Sequence, residues 1–344
     1  MRKAVLLLLF LATSISMAQP SNNECATSEN ILISTSTPNT YTANTVDATE
    51  TVEGSCESAG FTDPDVWYNF TMPVNGNLSV TGITSNDYIN IFASCGGAEI
   101  ACFFDDGIIY GLDAGQDYIL KFARFNNGSG NFDFTVQAFE EPANNECVNS
   151  ETIIVSEMMP TDYTVSTIGA SETIEASCES AGFIDPDVWY NFTMPVNGTL
   201  FVSNNSTNNY ITIYDSCGGA EITCFFGNNS IFNLTGGTDY ILRFARFNNG
   251  SGTFNFTMQA FEPPTNDICA NSETIAVSAT AATYTANTQG ASDTQEGSCE
   301  SLGFTDPDVW FNFTMPVTGN LMISDISSND YINCLLYTSP SPRD

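Results

Sequence analysis

Apolar side chains recur at every second position in the chain. Phe132, Phe134, Val136 and Ala138 alternate with Asp133, Thr135 and Gln137, the period of an extended strand that buries one face. The alternation returns as Phe254, Phe256, Met258 and Ala260. Shorter strand-like runs fall at 31–34, 66–72, 78–81, 88–93, 100–104, 108–112 and 118–125, and no stretch carries a convincing helical period. Asn75-Gly76 and Asn197-Gly198 read as tight hairpin turns, and the Asn-Asn-Gly-Ser-Gly run from Asn126 to Gly130 as a longer one. Short strands so closely spaced predict an all-β chain of tandem antiparallel β-sandwich modules, jelly-roll-like in connection.

The tandem character is explicit. Cys25, Cys147 and Cys269 stand in register, each 122 residues after the last, and Trp67, Trp189 and Trp310 follow. The run from Cys56 to Gly76 recurs from Cys178 with Ile184 for Thr62 as its one change, the mark of a recent duplication. The reading is a signal peptide at 1–18, module one at 19–141, module two at 142–263, a truncated module three at 264–333, and a non-native tail at 334–344. The first segment carries Arg2 and Lys3, an apolar run and Ser-Met-Ala before Gln19, the plan of a secretory leader too short for a bilayer span. The tail, CLLYTSPSPRD, matches the in-frame translation of a transposase sequencing adaptor over all eleven residues. The seams at 139–143 and 261–265 contain proline, which stiffens a connection.

Charge narrows the function classes. Asp and Glu number 40 against 7 Lys and Arg, a net of -33, and histidine is absent. Such a surface repels nucleic acid and anionic lipid, and the lack of histidine removes the commonest general base and zinc ligand. The predicted chain is exported, binds no nucleic acid, spans no membrane and is not an enzyme. Its cysteines read as disulfides in an oxidising compartment: Cys25, Cys56, Cys95 and Cys102; Cys147, Cys178, Cys217 and Cys224; and Cys269 with Cys299 in the third copy. Of the possible pairings we favour Cys25 with Cys56 and Cys95 with Cys102, because the second pair can close a hairpin loop locally. Cys334 falls where Ile91 and Ile213 sit in the other copies, a further sign that the tail is foreign.

Three sets of residues are candidates for a site. Glu57, Asp63 and Asp65 recur as Glu179, Asp185 and Asp187 and again as Glu300, Asp306 and Asp308. Oxygen ligands of this kind suit calcium, the one cofactor to consider, although Asp-Pro-Asp also suits a turn cap before a buried strand, the reading we prefer. Trp67 with Asn69, and Trp189 with Asn191, fall on the polar parity of their strand. There they form either a sugar-stacking platform or a second core layer beneath a loop, and we favour the covered alternative because large aromatics are mostly buried. Lys121, Arg124, Arg243 and Arg246 are the cations left once both ends are set aside. They either hold a carboxylated ligand or pair with carboxylates of their own module, and the second is the usual fate.

The Asn-Asx-x-Cys openings, the Asp-Pro-Asp-Val-Trp-Tyr-Asn-Phe-Thr strand, the Pro-Val-Asn-Gly turn and the Leu-x-Ala-Gly-x-x-Tyr run to Tyr118 resemble the tandem β-sandwich modules of large exported bacterial proteins. Those modules are similar to bacterial pre-peptidase C-terminal domains and are frequent in cell-surface proteins of Gram-negative bacteria that use type IX secretion. The resemblance implies a non-catalytic companion module. Two functions follow as expectations. One is a secreted or cell-surface binding and adhesion protein whose partner is an extracellular glycan or surface protein. The other is the ancillary region of a truncated secreted hydrolase, a peptidase, whose catalytic domain is missing.

Overall fold

The computed structural model describes residues 19–83, 87–126, 128–205, 209–247, 250–295, 297–300, 305–326 and 331–335. The expected signal peptide and residues 336–344 of the expected foreign tail lie outside the described residues. The chain divides into two compact units, one running to Pro142 and including Ile168–Ser171, the other holding Ala143–Thr167 and everything from Glu172 on.

In the first unit the strands are β1 (Glu29–Asn30), β2 (Asn39–Asn44), β3 (Asp65–Thr71), β4 (Gly76–Thr81), β5 (Asp87–Phe92), β6 (Glu99–Phe104), β7 (Gly107–Leu112), β8 (Asp117–Arg124) and β9 (Asn131–Glu140). One sheet has the order β1-β3-β8-β5-β6 and the other β2-β9-β4-β7. From β2 to β9 successive strands alternate between sheets except at β5 to β6, which is the jelly-roll connection. The second unit repeats it with β10 (Glu151–Thr152), β11 (Thr161–Ser166), β12 (Asp187–Thr193), β13 (Gly198–Ser203), β14 (Asn209–Tyr214), β15 (Glu221–Phe226), β16 (Asn229–Leu234), β17 (Asp239–Arg246) and β18 (Thr253–Phe261), in sheets β10-β12-β17-β14-β15 and β11-β18-β13-β16. Of the third copy the described residues hold one strand pair, β19 (Glu273–Thr274) with β20 (Phe311–Asn312).

The alternation read from the sequence is the inward face of each sheet. Val66, Tyr68 and Phe70 of β3 and Leu120 and Phe122 of β8 meet Leu78, Val80, Phe132, Phe134 and Val136 of the facing sheet in one buried cluster. Phe122 and Phe134 lie 4.3 Å apart, centroid to centroid. Two turn expectations are corrected. Asn75-Gly76 and the 126–130 run join strands of different sheets, so they are corners between layers rather than hairpins. Gly76 is needed there because its φ is +144° and a Cβ would stand 2.0 Å from the Phe139 carbonyl oxygen. Among β2 to β9 the hairpin is β5–β6.

That hairpin also overturns the favoured disulfide pairing. The bridges are Cys25–Cys95 and Cys56–Cys102, repeated as Cys147–Cys217 and Cys178–Cys224. Cys95 sits in the turn while Cys102 lies well along β6, opposite Asn90; at about 3.3 Å per residue the two are too far apart for one bridge. Each cysteine instead reaches across sequence separations of 70 and 46 residues, closures worth about 4 kcal/mol each in the chain-entropy account. Cys299, also expected in a disulfide, is not bridged to any described residue. In register, Thr338 stands at the place of Cys95, and the place of Cys102 falls past Asp344.

The bridge at Cys56 fixes a strap. Residues 45–64, between β2 and β3, cover the outward face of the first sheet. Thr51 donates from its backbone N and its Oγ1 to Asp65, both at 2.8 Å, and Trp67 Nε1 donates to Thr51 Oγ1 and Asp65 Oδ1 at 2.9 Å. Lys121 Nζ reaches up from β8 to the Val52 carbonyl and to Glu57 Oε1, each at 2.5 Å. The side chains of Lys121 and Glu57 are 0% and 1% exposed. In the second unit Arg243 takes the place of Lys121, joining Glu179 at 2.5 Å, Asp187 at 2.8 Å and the Ile174 carbonyl. The third copy keeps the Thr294, Asp308 and Trp310 clasp.

Steric fit under the strap is paired between positions. A Cβ on Gly54 would stand 1.9 Å from Asn90 Nδ2; the second unit has Ala176 there and the smaller Thr212 opposite, while the third returns to Gly297 and Asn333. Substituting Gly54→Ala alone should therefore lower stability by about 1 to 3 kcal/mol, the usual cost of overpacking, and adding Asn90→Thr should restore most of it. A double-mutant cycle on the denaturation midpoint checks this; additive losses would contradict the steric pairing.

Burial pushes up the pKa of Glu57 and Asp65, with hydrogen bonds and the Lys121 charge pulling the other way. Glu179 and Asp187 are likewise raised by burial against the opposing pull of Arg243. For Arg243 itself, burial opposes the charge, but Asp187 and Glu179 outweigh it and the pKa rises. A carboxyl whose folded pKa lies above its unfolded value holds its proton more tightly in the fold. Its contribution is complete below the ordinary value, 4.5 for Glu57, and is lost as pH rises through the folded value. The thermal midpoint should accordingly rise as pH falls through the raised folded values toward the ordinary one, 4.5 for Glu57. Glu57→Gln with Glu179→Gln should flatten that slope in calorimetry; an unchanged slope in the variant would assign the effect to other groups.

Candidate functional site

The residues expected to hold calcium are the ones that fasten the strap. Glu57 is paired with Lys121, and Asp65 accepts from Thr51 and Trp67. Asp63 and Asp185 are 1% exposed, while Glu179 and Asp187 share Arg243. Among the described residues no group of three or more His, Cys, Asp or Glu side chains is placed to hold a metal ion. In Asp-Pro-Asp, the second carboxylate bonds back to the strap at the start of β3, the structural alternative set out above.

Trp67 takes the covered position of the two alternatives set out above. It is 2% exposed and packs with Phe92, Ile119 and Cys25 as a second, smaller core between sheet and strap. Trp189 does the same with Tyr214, Ile241 and Cys147. A strand covered on both faces cannot be told from a half-exposed one by alternation alone. The asparagines serve the short edge strand. The Asn69 carbonyl accepts from Ile31 N at 2.9 Å, and Asn191 Nδ2 donates to the Ser150 carbonyl at 3.0 Å while its Oδ1 accepts from Thr152 at 2.8 Å.

A different set of side chains converges at the end of the outward face where β5 begins and β6 and β8 finish. Register places Tyr88 opposite Phe104 on one side and Ala123 on the other. Tyr88, Phe104 and Phe125 stack edge to face, each on the other two, with centroids 5.0, 5.7 and 5.6 Å apart. The second unit rebuilds the trio as Tyr210, Phe226 and Phe247 at 5.3, 5.7 and 5.9 Å, again edge to face. The tyrosines are buried, but Phe104 is 40% and Phe226 46% exposed. Phe61 and Phe183, at the far end of each strap, are also exposed, and Phe61 lies 6.3 Å from Phe125.

Arg124 and Arg246 end β8 and β17 at the inward parity of Phe122 and Phe244, on the face of the sheet opposite the rings, and Arg124 stands over the core ring of Phe132. Arg124 Nη1 donates to Asp87 Oδ1 at 2.7 Å, and Arg246 Nη1 to Asn209 Oδ1 at 3.0 Å. The Nε of both guanidinium groups is buried without a hydrogen-bond partner. The end of the outward face therefore offers ring faces and edges, the apolar part of a sugar site. Alternation scoring missed this end because Phe103-Phe104 and Phe225-Phe226 place one ring on each face; two adjacent aromatics at a strand's finish, in both copies, were the available signal.

Among solved structures, the CUB1-EGF-CUB2 domains of rat MASP-1 share 12% identity with the chain, covering 67% of it and 100% of their own length at a TM-score of 0.21. The corresponding human MASP-1/3 domains share 12% over 64% and 99%, TM-score 0.19, and a turret protein of Sulfolobus turreted icosahedral virus 15% over 64% and 97%, TM-score 0.17. No curated protein matches. The sequence profile of a galactose-binding-domain-like family associated with type IX secretion matches residues 21–136, 143–258 and 265–339, in place of the pre-peptidase domain that the sequence motifs resembled. A non-catalytic binding fold in tandem, bridged by disulfides as in exported proteins and without a described helix long and apolar enough to cross a membrane, this chain belongs to the galactose-binding-domain-like family of type IX secretion.

Proposed function

We propose that each complete module binds an extracellular glycan, with the ring trio at the β5–β6–β8 end as the sugar contact. The observation that carries this reading is the recurrence of an exposed phenylalanine, Phe104 or Phe226, set edge to face against two further rings at the same end of both modules. A cluster of rings at the surface is a more informative feature than apolar side chains exposed singly. Here Tyr88 and Phe125 hold Phe104 rigidly, so little side-chain freedom is lost when a pyranose settles on it. Tandem copies raise apparent affinity for a polymer through effective concentration, which suits a surface or adhesion role, and the acidic remainder of the chain disfavours non-specific anionic contacts.

Phe104→Ala and Phe226→Ala should each weaken binding of a galactan oligomer about fivefold to tenfold, the worth of roughly one aromatic contact. The double variant should abolish retention on immobilised galactan, and because both rings are half exposed the thermal midpoint should move by only a few degrees. Isothermal titration beside a melting curve reads both effects. Unchanged titration in the double variant would overturn the assignment of this end.

A further inference from the structure

One turn of the chain is folded into the repeat that precedes it. By sequence, residues 167–171 open the strap of the second repeat, yet Ile168–Ser171 belong to the first compact unit. There Asn77 Nδ2 donates to the Ala170 carbonyl at 2.7 Å, while Asn77 Oδ1 accepts from Gly111 N of β7 at 3.2 Å. Asn77 is 2% exposed and Ala170 is 0% exposed. The second unit holds the same arrangement within itself. Thr199 stands at the place of Asn77, and its shorter side chain donates from Oγ1 to the carbonyl one place earlier, that of Gly290, at 3.1 Å. Ala291 is again 0% exposed.

Glycine is what lets the turn seat. Gly169 and Gly290 stand in register, with φ of +83° and +81°. A Cβ on Gly169 would lie 2.0 Å from the Glu140 carbonyl oxygen, and one on Gly290 would lie 2.8 Å from that of Glu262. Both carbonyls stand at the end of a module's last strand, β9 or β18, and a backbone group cannot swing aside as a flexible side chain can. In the first repeat the same place belongs to Asp47, which holds a left-handed backbone too, at φ +60°. Val46 and Asp47 are exposed there. The left-handed turn is thus common to all three copies, and what the glycines add is close approach to another backbone.

We propose that the Gly-Ala turn is the coupling element of the array: in the second and third repeats it completes the fold of the repeat before it, and Asp47 bars the turn of the first repeat from that role. Unseating the turn strips Asn77 Nδ2 of its acceptor, removes the cover that buries Ala170 and opens the ends of β4 and β9 to water. The stability of one repeat therefore depends on a residue that the next one carries.

Hydrogen exchange read by mass spectrometry on the full chain tests this. Gly169→Asp places in the second repeat the residue that the first already carries in a left-handed turn, so the turn itself tolerates the change. We expect amide exchange in β4 and at the end of β9 to quicken roughly fivefold to tenfold, as for one lost buried hydrogen bond. Asn77→Ala should in return quicken exchange at 168–171, and Asp47→Gly should alter neither region. Loss of protection confined to the second repeat in Gly169→Asp would overturn the coupling, as would unchanged exchange at 168–171 in Asn77→Ala. Should Gly169→Asp unfold the second repeat outright, Asn77→Ala, made in the first repeat, decides the matter.

Discussion

A buried cation in the middle of β8 holds each module together on its outward side. Lys121 in one copy and Arg243 in the other stand at 0% side-chain exposure on the face of a sheet that has no facing sheet to cover it. An ammonium or guanidinium in that place is tolerable only with its carboxylates and carbonyl in contact, because an uncompensated buried charge costs about 3 to 5 kcal/mol. Those partners, Glu57 and Val52 or Glu179 and Ile174, lie on the strap. The strap must therefore close over the sheet for the cation to be satisfied, and once closed it buries Trp67 or Trp189 and aligns Cys56 with Cys102. Second core, disulfide and ion pair form a single arrangement.

Much of the fold could be read in advance and much of the strap could not, for one reason. Alternation reports which side chains leave water, and the inward faces, Val66 with Tyr68 and Phe132 with Phe134, announce themselves in that way. The outward face is made of polar and aromatic residues whose burial depends on a segment some fifteen places earlier in the chain, as Trp67 depends on Thr51. Nothing in the period of β3 encodes that cover. The turns failed similarly: an Asn-Gly pair states that the chain reverses with a left-handed residue, and says nothing of whether it returns to the same sheet or crosses to the other. The disulfides followed the turns, since the local pairing assumed that Cys102 lay beside the hairpin tip.

The carboxylates show how duplication can mislead. Glu57, Asp63 and Asp65 recur in every copy, and recurrence alone suggested a ligand set. They recur because the strap recurs. Divergence between copies is the more informative signal here, and it is of two kinds. Gly54 with Asn90 became Ala176 with Thr212, and Lys121 with Glu57 became Arg243 with Glu179 and Asp187; each exchange keeps volume or charge balanced inside the module. These are compensations that packing and desolvation demand.

The exchange at the start of β5 and β14 is of the second kind, because it keeps a hydrogen bond and gives up a charge. Asp87, Asp105 and Asp106 gave way to Asn209, Gly227 and Asn228 while Arg124 stayed as Arg246. The arginine keeps its place because the hydrogen bond survives the loss of charge: Arg246 Nη1 donates to Asn209 Oδ1 at 3.0 Å where Arg124 Nη1 donates to Asp87 Oδ1 at 2.7 Å. On the inward side of the sheet the guanidinium also covers the end of the core, standing over Phe132 in the first copy, so packing as well as charge holds it there.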